Sequence, residues 1–181
     1  MKMKIFITGG IGSGKSSFAL HLAEKISKQK GFRKKIFIAP AEPRDEEMTE
    51  KIKKHKEERE KLGNWMTIEE PYEIHKQLKD EYEIIVLDCL TMWITNIFFK
   101  YQSDTEKINS IKKEFILSLK KFKNVILIVS NETGLGIIPS DKQTREWSKH
   151  LSHINREVAK ISNQAYLIVS GIPIILKGNS L

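Results

Sequence analysis

Residues 9–16 read Gly-Gly-Ile-Gly-Ser-Gly-Lys-Ser, preceded by Lys4-Ile5-Phe6-Ile7-Thr8 and followed by Ser17-Phe18-Ala19-Leu20-His21-Leu22-Ala23. The first flank has the composition of a buried strand and the second that of a helix. Glycine, four residues, then Gly14-Lys15-Ser16 between a strand and a helix is the P-loop pattern. Glycines let the backbone wrap phosphate groups with its N–H bonds pointing inward, and the helix N-terminus adds partial positive charge. In this reading Gly9, Gly10, Ile11, Gly12, Ser13 and Gly14 form the cradle of a nucleoside triphosphate. Lys15 reaches its β- and γ-phosphates, and the Ser16 hydroxyl takes a place on Mg²⁺. A glycine-rich turn with no ligand is the bland alternative. The full eight-residue match with both correct flanks argues against it.

At 181 residues the chain suits one domain spanning 1–181, large enough for a core. With 40% hydrophobic and 30% charged residues it has the balance of a folded globular protein rather than a disordered one. A single cysteine, Cys89, excludes an internal disulfide and fits a reducing compartment. The chain runs from Met1 directly into the first strand without a signal-like apolar region, so a cytoplasmic location is expected. Its longest apolar candidate, Leu90 to Phe99, is interrupted by Thr91, Thr95 and Asn96 and falls short of a membrane span. The formal charge of +8 asks for anionic company. The lysines are scattered among glutamates, with no basic tract interleaved with aromatics, so a phosphate-rich small substrate is expected rather than nucleic acid.

Short β-branched runs alternate with amphipathic stretches, which predicts an α/β fold with a mostly parallel sheet covered by helices. Strands are expected at 4–8, 35–39, 84–88, 125–130 and 165–169, with 174–177 as a candidate antiparallel edge strand at the C-terminus. Helices are expected at 15–29, 45–62, 72–81, 104–122 and 141–163. Trp65-Met66-Thr67-Ile68 reads as a short extended piece, and Trp93, Phe98 and Phe99 as a core helix or a subunit contact. Ile84 to Leu87, Val125 to Val129 and Tyr166 to Val169 are continuously apolar, as strands buried on both faces should be.

Open α/β sheets bind ligands beyond the carboxyl ends of their strands. That rule selects the P-loop, Ala39-Pro40-Ala41, Asp88-Cys89 and Asn131-Glu132. Asp88 is a candidate ligand for Mg²⁺, a hard cation that prefers oxygen. Cys89 reads as a small packed residue rather than a nucleophile. Between Asp45 and Leu62, His55 lies on the inward stripe of a helix among Lys53, Lys54, Lys56 and Arg59. Those cations would keep the imidazole neutral and nucleophilic while attracting a triphosphate. A charge-rich solvated helix with one packed histidine fits the periodicity too, and His21, His75, His150 and His153 remain open alternatives at this level. Glu69 and Glu70, before Pro71, are placed on a loop where acids can hold a ribose or base edge, or face water.

Taken together these segments resemble the bifunctional adenosylcobinamide kinase/adenosylcobinamide-phosphate guanylyltransferase family, over nearly the whole chain and in order. The resemblance rests on Thr8-Gly9-Gly10 through Lys15-Ser16, Glu47-Met48 with Ile52, His55 and Arg59, Trp65, and Thr67 through Pro71. It continues through Asp88 to Trp93, Asn96, Ser130-Asn131-Glu132, Gly134, Gly136-Ile137, Pro139, Asn155 and Ser170 to Pro173. It implies a RecA-like P-loop NTPase fold, a trimer, and two reactions with adenosylcobinamide and its phosphate as substrates. A nucleoside triphosphate (ATP or GTP) phosphorylates the aminopropanol hydroxyl, and GMP from GTP is then transferred to that phosphate, giving adenosylcobinamide-GDP. By resemblance His55 accepts GMP covalently, and contacts to GTP fall on Gly9 through Ser16, Ala39, Pro40, Ala41, Lys56, Glu57, Glu58, Arg59, Glu69 and Asp88. The family's usual arginine is Gly12 here, its Arg-Asp pair in the late helix is Ser148-Lys149, and its glycine near Asn155 is Ser152. These departures leave the P-loop lysine and His55 in place. A monofunctional small-molecule kinase and a regulatory or nucleic-acid-dependent NTPase are the competing classes, separable by whether GTP labels the protein through its α-phosphate.

Overall fold

The computed structural model describes residues 2–42, 50, 56–57, 61–136 and 138–179. A seven-stranded sheet has the order β3-β2-β4-β5-β1-β6-β7, from β1 (Met3–Gly9), β2 (Lys35–Ala39), β3 (Trp65–Glu69), β4 (Ile84–Asp88), β5 (Val125–Val129), β6 (Gln164–Val169) and β7 (Ile172–Lys177). All neighbouring pairs are parallel except β6–β7, which is antiparallel. The helices described end to end are α1 (Lys15–Lys30), α2 (Leu90–Lys100), α3 (Thr105–Lys121) and α4 (Lys142–Ile161). None is long and apolar enough to cross a membrane.

The alternation of side chains along each strand sorts the core into two layers. Ile5, Ile7, Val86, Leu127 and Val129 pack against Ala19, Leu22, Ala23 and Ile26 of α1. Phe6, Ile36, Ile85, Leu87, Ile126 and Ile128 face the other way, onto Trp93, Ile94 and Ile97 of α2, Phe115 and Leu119 of α3, and Leu151 and Ile154 of α4. A buried carboxylate ties the first layer to the β3 edge, since Glu24 on α1 accepts from Lys35 Nζ at 2.9 Å and from Trp65 Nε1 at 3.1 Å.

Several expected elements change form. The extended piece at 65–68 is a full edge strand, paired in register with β2 from Lys35↔Trp65 to Ala39↔Glu69. Glu69 therefore ends a strand instead of lying on a loop. The helix expected at 72–81 is only a 3-10 turn over Ile74–Gln77. Its approach is fixed by Glu70, whose Oε1 accepts from the Tyr72 and Glu73 amides at 3.0 and 2.9 Å, and by the Tyr72 carbonyl, which accepts from Trp93 Nε1 at 2.8 Å. The aromatic run at 93–99 lies on the core helix α2, with Trp93 and Phe98 buried and Phe99 exposed. The last strand begins at Ile172 and includes Pro173, tolerated because β7 is an edge. Of the helix expected at 45–62, residues 50, 56–57 and 61–62 are described and are helical.

Candidate active site

The parallel strands all point their carboxyl ends the same way, so the segments leaving β1, β2, β3 and β4 share one end of the sheet. The sharpest turn follows β1. There Gly9 is confined, because a Cβ on it would run into the Ile168 carbonyl oxygen of β6. Gly14 adopts φ 91°, a left-handed conformation that starts α1 without a side-chain cap. The Ser13 amide donates to the Gly10 carbonyl at 3.3 Å, and the Ser13 carbonyl accepts from the Gly171 amide at 2.9 Å. The turn between β6 and β7 thus braces the cradle from outside.

Lys15 is buried at the first position of α1, where no acidic residue occupies the first turn. Its ammonium donates to the Gly10 carbonyl at 2.6 Å. Burial pushes its pKa below the usual lysine value, while the Asp88 carboxylate pulls it back up. A helix N-terminus disfavours a cation, so this lysine is in a place that only an anion makes comfortable. Asp88 ends β4 half-buried, joined to Cys89 by a cis peptide bond. The Cys89 thiol is pushed up to about 11, by burial first and by Asp88 second, so it remains a thiol near neutral pH, as its reading as a packing residue requires.

Ser16 and Asp88 offer one hydroxyl and one carboxylate at this end of the sheet. No group of three or more His, Cys, Asp or Glu side chains able to hold a metal occurs among the described residues. The donor set fits Mg²⁺, which commonly takes one or two protein oxygens and completes its shell with phosphates and water.

On the β2 side, Pro40 is buried and Ala41 half-buried, and the Glu70 amide donates to the Ala39 carbonyl at 3.1 Å. Asn96 of α2 fastens this region, donating from Nδ2 to the Pro40 carbonyl at 2.6 Å and to the Pro71 carbonyl at 3.3 Å. Glu69 is exposed, as are Lys56 and Glu57. His55, Glu58 and Arg59, with Lys53, Lys54, Met48 and Ile52, lie outside the described residues.

Three polar side chains that carry the resemblance have no role legible from residue type. Thr8, Ser130 and Asn155 are all buried, and Thr8 Oγ1, Ser130 Oγ and Asn155 Oδ1 have no hydrogen-bond partner among the described residues. Thr8 and Ser130 looked like strand ends, and nothing in their spacing pairs them with a helix 25 residues downstream. The structure does so through Asn155 Nδ2, which donates to the Asn131 carbonyl at 3.0 Å, while the Asn131 amide donates to Thr91 Oγ1 at 2.9 Å.

The family model described as cobinamide kinase / cobinamide phosphate guanyltransferase matches residues 5–176. The chain belongs to this family. It is 31% identical over 182 residues to the bifunctional adenosylcobalamin biosynthesis protein CobP of Pseudomonas aeruginosa, covering 99% of this chain and 100% of that protein. It is 28% identical over 189 residues to the bifunctional adenosylcobalamin biosynthesis protein CobU of Escherichia coli, covering 97% and 100%. Among solved structures, flagellar accessory protein FlaH from Methanocaldococcus jannaschii superposes with a TM-score of 0.55 at 15% identity, over 98% of this chain and 79% of that one. A KaiC-like protein from Pyrococcus horikoshii gives 0.50 at 15% identity, over 91% and 70%. These structural likenesses concern the fold alone, a RecA-like P-loop NTPase sheet, which agrees with the fold expected from the sequence. A P-loop in a guanyltransferase family makes this a nucleotide-binding protein.

Proposed function

We propose that the protein carries both activities of its family in one domain spanning residues 1–181, phosphorylating the hydroxyl of adenosylcobinamide and then transferring GMP to the new phosphate. One observation carries the reading: the family match runs through the P-loop and onward to residue 176, so it is not the shared P-loop alone.

For the first step, Gly9 through Ser16 hold the triphosphate of ATP or GTP, and Lys15 neutralises charge as it shifts from the γ-phosphate to the β-phosphate. Ser16 and Asp88 would hold Mg²⁺, which would supply positive charge to offset that of the phosphates. The acceptor hydroxyl forms a bond to the γ-phosphorus, the bridge to the β-phosphate breaks, and the nucleoside diphosphate leaves. Catalysis here is chiefly positioning and electrostatics.

For the second step, the neutral His55 imidazole attacks the α-phosphorus of GTP. A nitrogen–phosphorus bond forms, and pyrophosphate departs with the electron pair of the broken bridge. A phosphate oxygen of adenosylcobinamide phosphate then displaces the imidazole. Ala39, Pro40, Ala41, Lys56, Glu57, Glu58, Arg59, Glu69 and Asp88 are assigned to holding GTP, on the strength of the resemblance. The same reading makes the protein a cytoplasmic homotrimer with no nucleic-acid partner.

The test is incubation with α-labelled GTP in the absence of acceptor. The expected result is a protein-bound label that is acid-labile and base-stable, lost in His55→Ala while nucleotide binding is largely kept. A label that survives this substitution moves the nucleophile elsewhere. Phosphorylation of adenosylcobinamide with no α-label leaves a kinase alone. Hydrolysis stimulated by DNA or RNA, without transfer to cobinamide, supports the regulatory NTPase class instead.

A further inference from the structure

The carboxyl end of the sheet gathers few carboxylates, and their strands rank them by distance from the P-loop. Among the described residues Glu42 follows β2, Glu69 and Glu70 lie at the end of β3, Asp88 ends β4 and Glu132 follows β5. The sheet order runs β3-β2-β4-β5-β1, so β5 is the only one of these strands that adjoins β1. At about 4.8 Å per strand, the end of β5 lies about 5 Å from the P-loop strand, that of β4 about 10 Å and that of β3 about 19 Å. Asp88 is assigned to Mg²⁺, and Glu70 is taken up by the Tyr72 and Glu73 amides. Glu132 is the carboxylate left beside the P-loop.

Hydrogen bonds on both sides fix the backbone that carries it. The Ser130 amide donates to the Ile7 carbonyl at 3.0 Å and the Glu132 amide to the Gly9 carbonyl at 3.0 Å, which ties the segment to the P-loop strand itself. The Asn131 amide donates to Thr91 Oγ1 at 2.9 Å, and the Asn131 carbonyl accepts from Asn155 Nδ2 at 3.0 Å. Within the Glu132 carboxylate, Oε1 accepts from the Gly134 amide at 2.8 Å. Oε2 has no partner among the described residues, and no lysine, arginine or histidine there pairs with the group. The residue is half-buried and lines an open groove of about 440 Å³ between α4 and strands β1, β6 and β7, so a substrate can reach it. A carboxylate with one oxygen anchored and the other free can accept a proton at a fixed place.

We propose that Glu132 is the general base of the kinase step. The inference rests on the kinase reading above and adds to it the group that takes the acceptor's proton. The acceptor hydroxyl donates to Glu132 Oε2 while Lys15 and the P-loop amides hold the triphosphate. Its oxygen bonds to the γ-phosphorus, and the bond from that phosphorus to the β-bridging oxygen breaks with the electron pair leaving on the nucleoside diphosphate. The hydroxyl proton passes to Oε2. GMP transfer removes no hydroxyl proton, because a neutral imidazole attacks GTP and an anionic phosphate then attacks the guanylylated protein. The role therefore belongs to one of the two reactions only.

Glu132→Gln isolates it, because the side-chain amide oxygen still accepts from the Gly134 amide while the group no longer takes up a proton. We expect kcat for phosphorylation of adenosylcobinamide to fall about 10²-fold, with the KM for both substrates and the thermal midpoint at wild-type values. Labelling by α-labelled GTP, and GMP transfer to adenosylcobinamide phosphate supplied directly, should be unchanged. Glu132→Ala should be similarly slow and regain rate when formate, a small carboxylate, is added. A wild-type kcat in Glu132→Gln overturns the assignment, as does a loss confined to KM, which would make Glu132 a binding residue. Equal losses in phosphorylation and GMP transfer overturn it too, since the residue then only shapes the P-loop. Each of these results leaves the family function standing. If the wild type phosphorylates no cobinamide at all, the kinase reading and this role fall together. Should Glu132→Gln not fold, the formate response of Glu132→Ala decides in its place, and no recovery overturns the proposal.

Discussion

Among the described residues Lys4, Lys15 and Lys112 are buried, and the last two are held in opposite ways. Lys15 is 7% exposed at the start of α1, with the Gly10 carbonyl against its ammonium and the Asp88 carboxylate offsetting part of its burial. Lys112, on α3, is 3% exposed, and its ammonium meets the His150 ring nitrogen at 3.1 Å. Burial pushes Lys112 down to about 8, with no opposing carboxylate. Burial, then Lys112 and His153, push His150 down to about 4, with Glu146 opposing. The first lysine sits at the open end of the sheet, where an anionic ligand can repay its desolvation. The second lies between α3 and α4 against a neutral ring, which offsets none of its desolvation by charge. A buried cation beside an amide cradle points to a ligand; a buried cation beside a neutral ring is a structural burden.

The largest expected effect comes from removing the first. Lys15→Met should lower the rate of phosphoryl transfer by about 10²–10³-fold, the range for losing one preorganised charge-stabilising donor, read as kcat in a γ-labelled transfer assay. An unaltered rate would place Lys15 in the same structural class as Lys112. Lys112→Met should instead leave transfer rates alone and stabilise the fold at pH 7 by about 1 kcal/mol, visible in a denaturant midpoint. A lower midpoint would mean that the contact with His150 outweighs the desolvation.

The third prediction concerns pH. Between about 8 and the unfolded value of 10.5, the unfolded chain holds more protons at Lys112 than the folded one. Stability should therefore rise with pH across that window, and the rise should vanish in Lys112→Met. At the acid end, unfolded His150 gains its proton near 6.5 and the folded one only near 4, so stability should fall as pH drops through that interval. His150→Phe should flatten this limb, measured by thermal melts from pH 4 to 7.

The central strands were legible because a strand buried on both faces must be apolar throughout, and Ile84 to Leu87 and Val125 to Val129 admit no other reading. The P-loop was legible because wrapping a phosphate restricts each residue type locally. The segment 72–81 misled because its helical composition was overruled by Glu70 and Trp93, partners that lie outside the segment. The strand at 65–69 looked minor until β2 and Glu24 gave it ladder and side-chain partners. The three buried oxygens of Thr8, Ser130 and Asn155 that lack a partner among the described residues belong to ordinary residue types, and only the fold shows that they are buried.

By itself the sequence determined that a parallel sheet would carry a phosphate cradle after its first strand, since periodicity and glycine placement act over a few residues. Tertiary structure alone decided that β1 lies between β5 and β6, that the β6–β7 turn braces Ser13, and that a polar groove opens beside the cradle. Those outcomes depend on which distant segments meet, and pairing across a sheet is settled by the burial of whole faces rather than by any local stretch of chain.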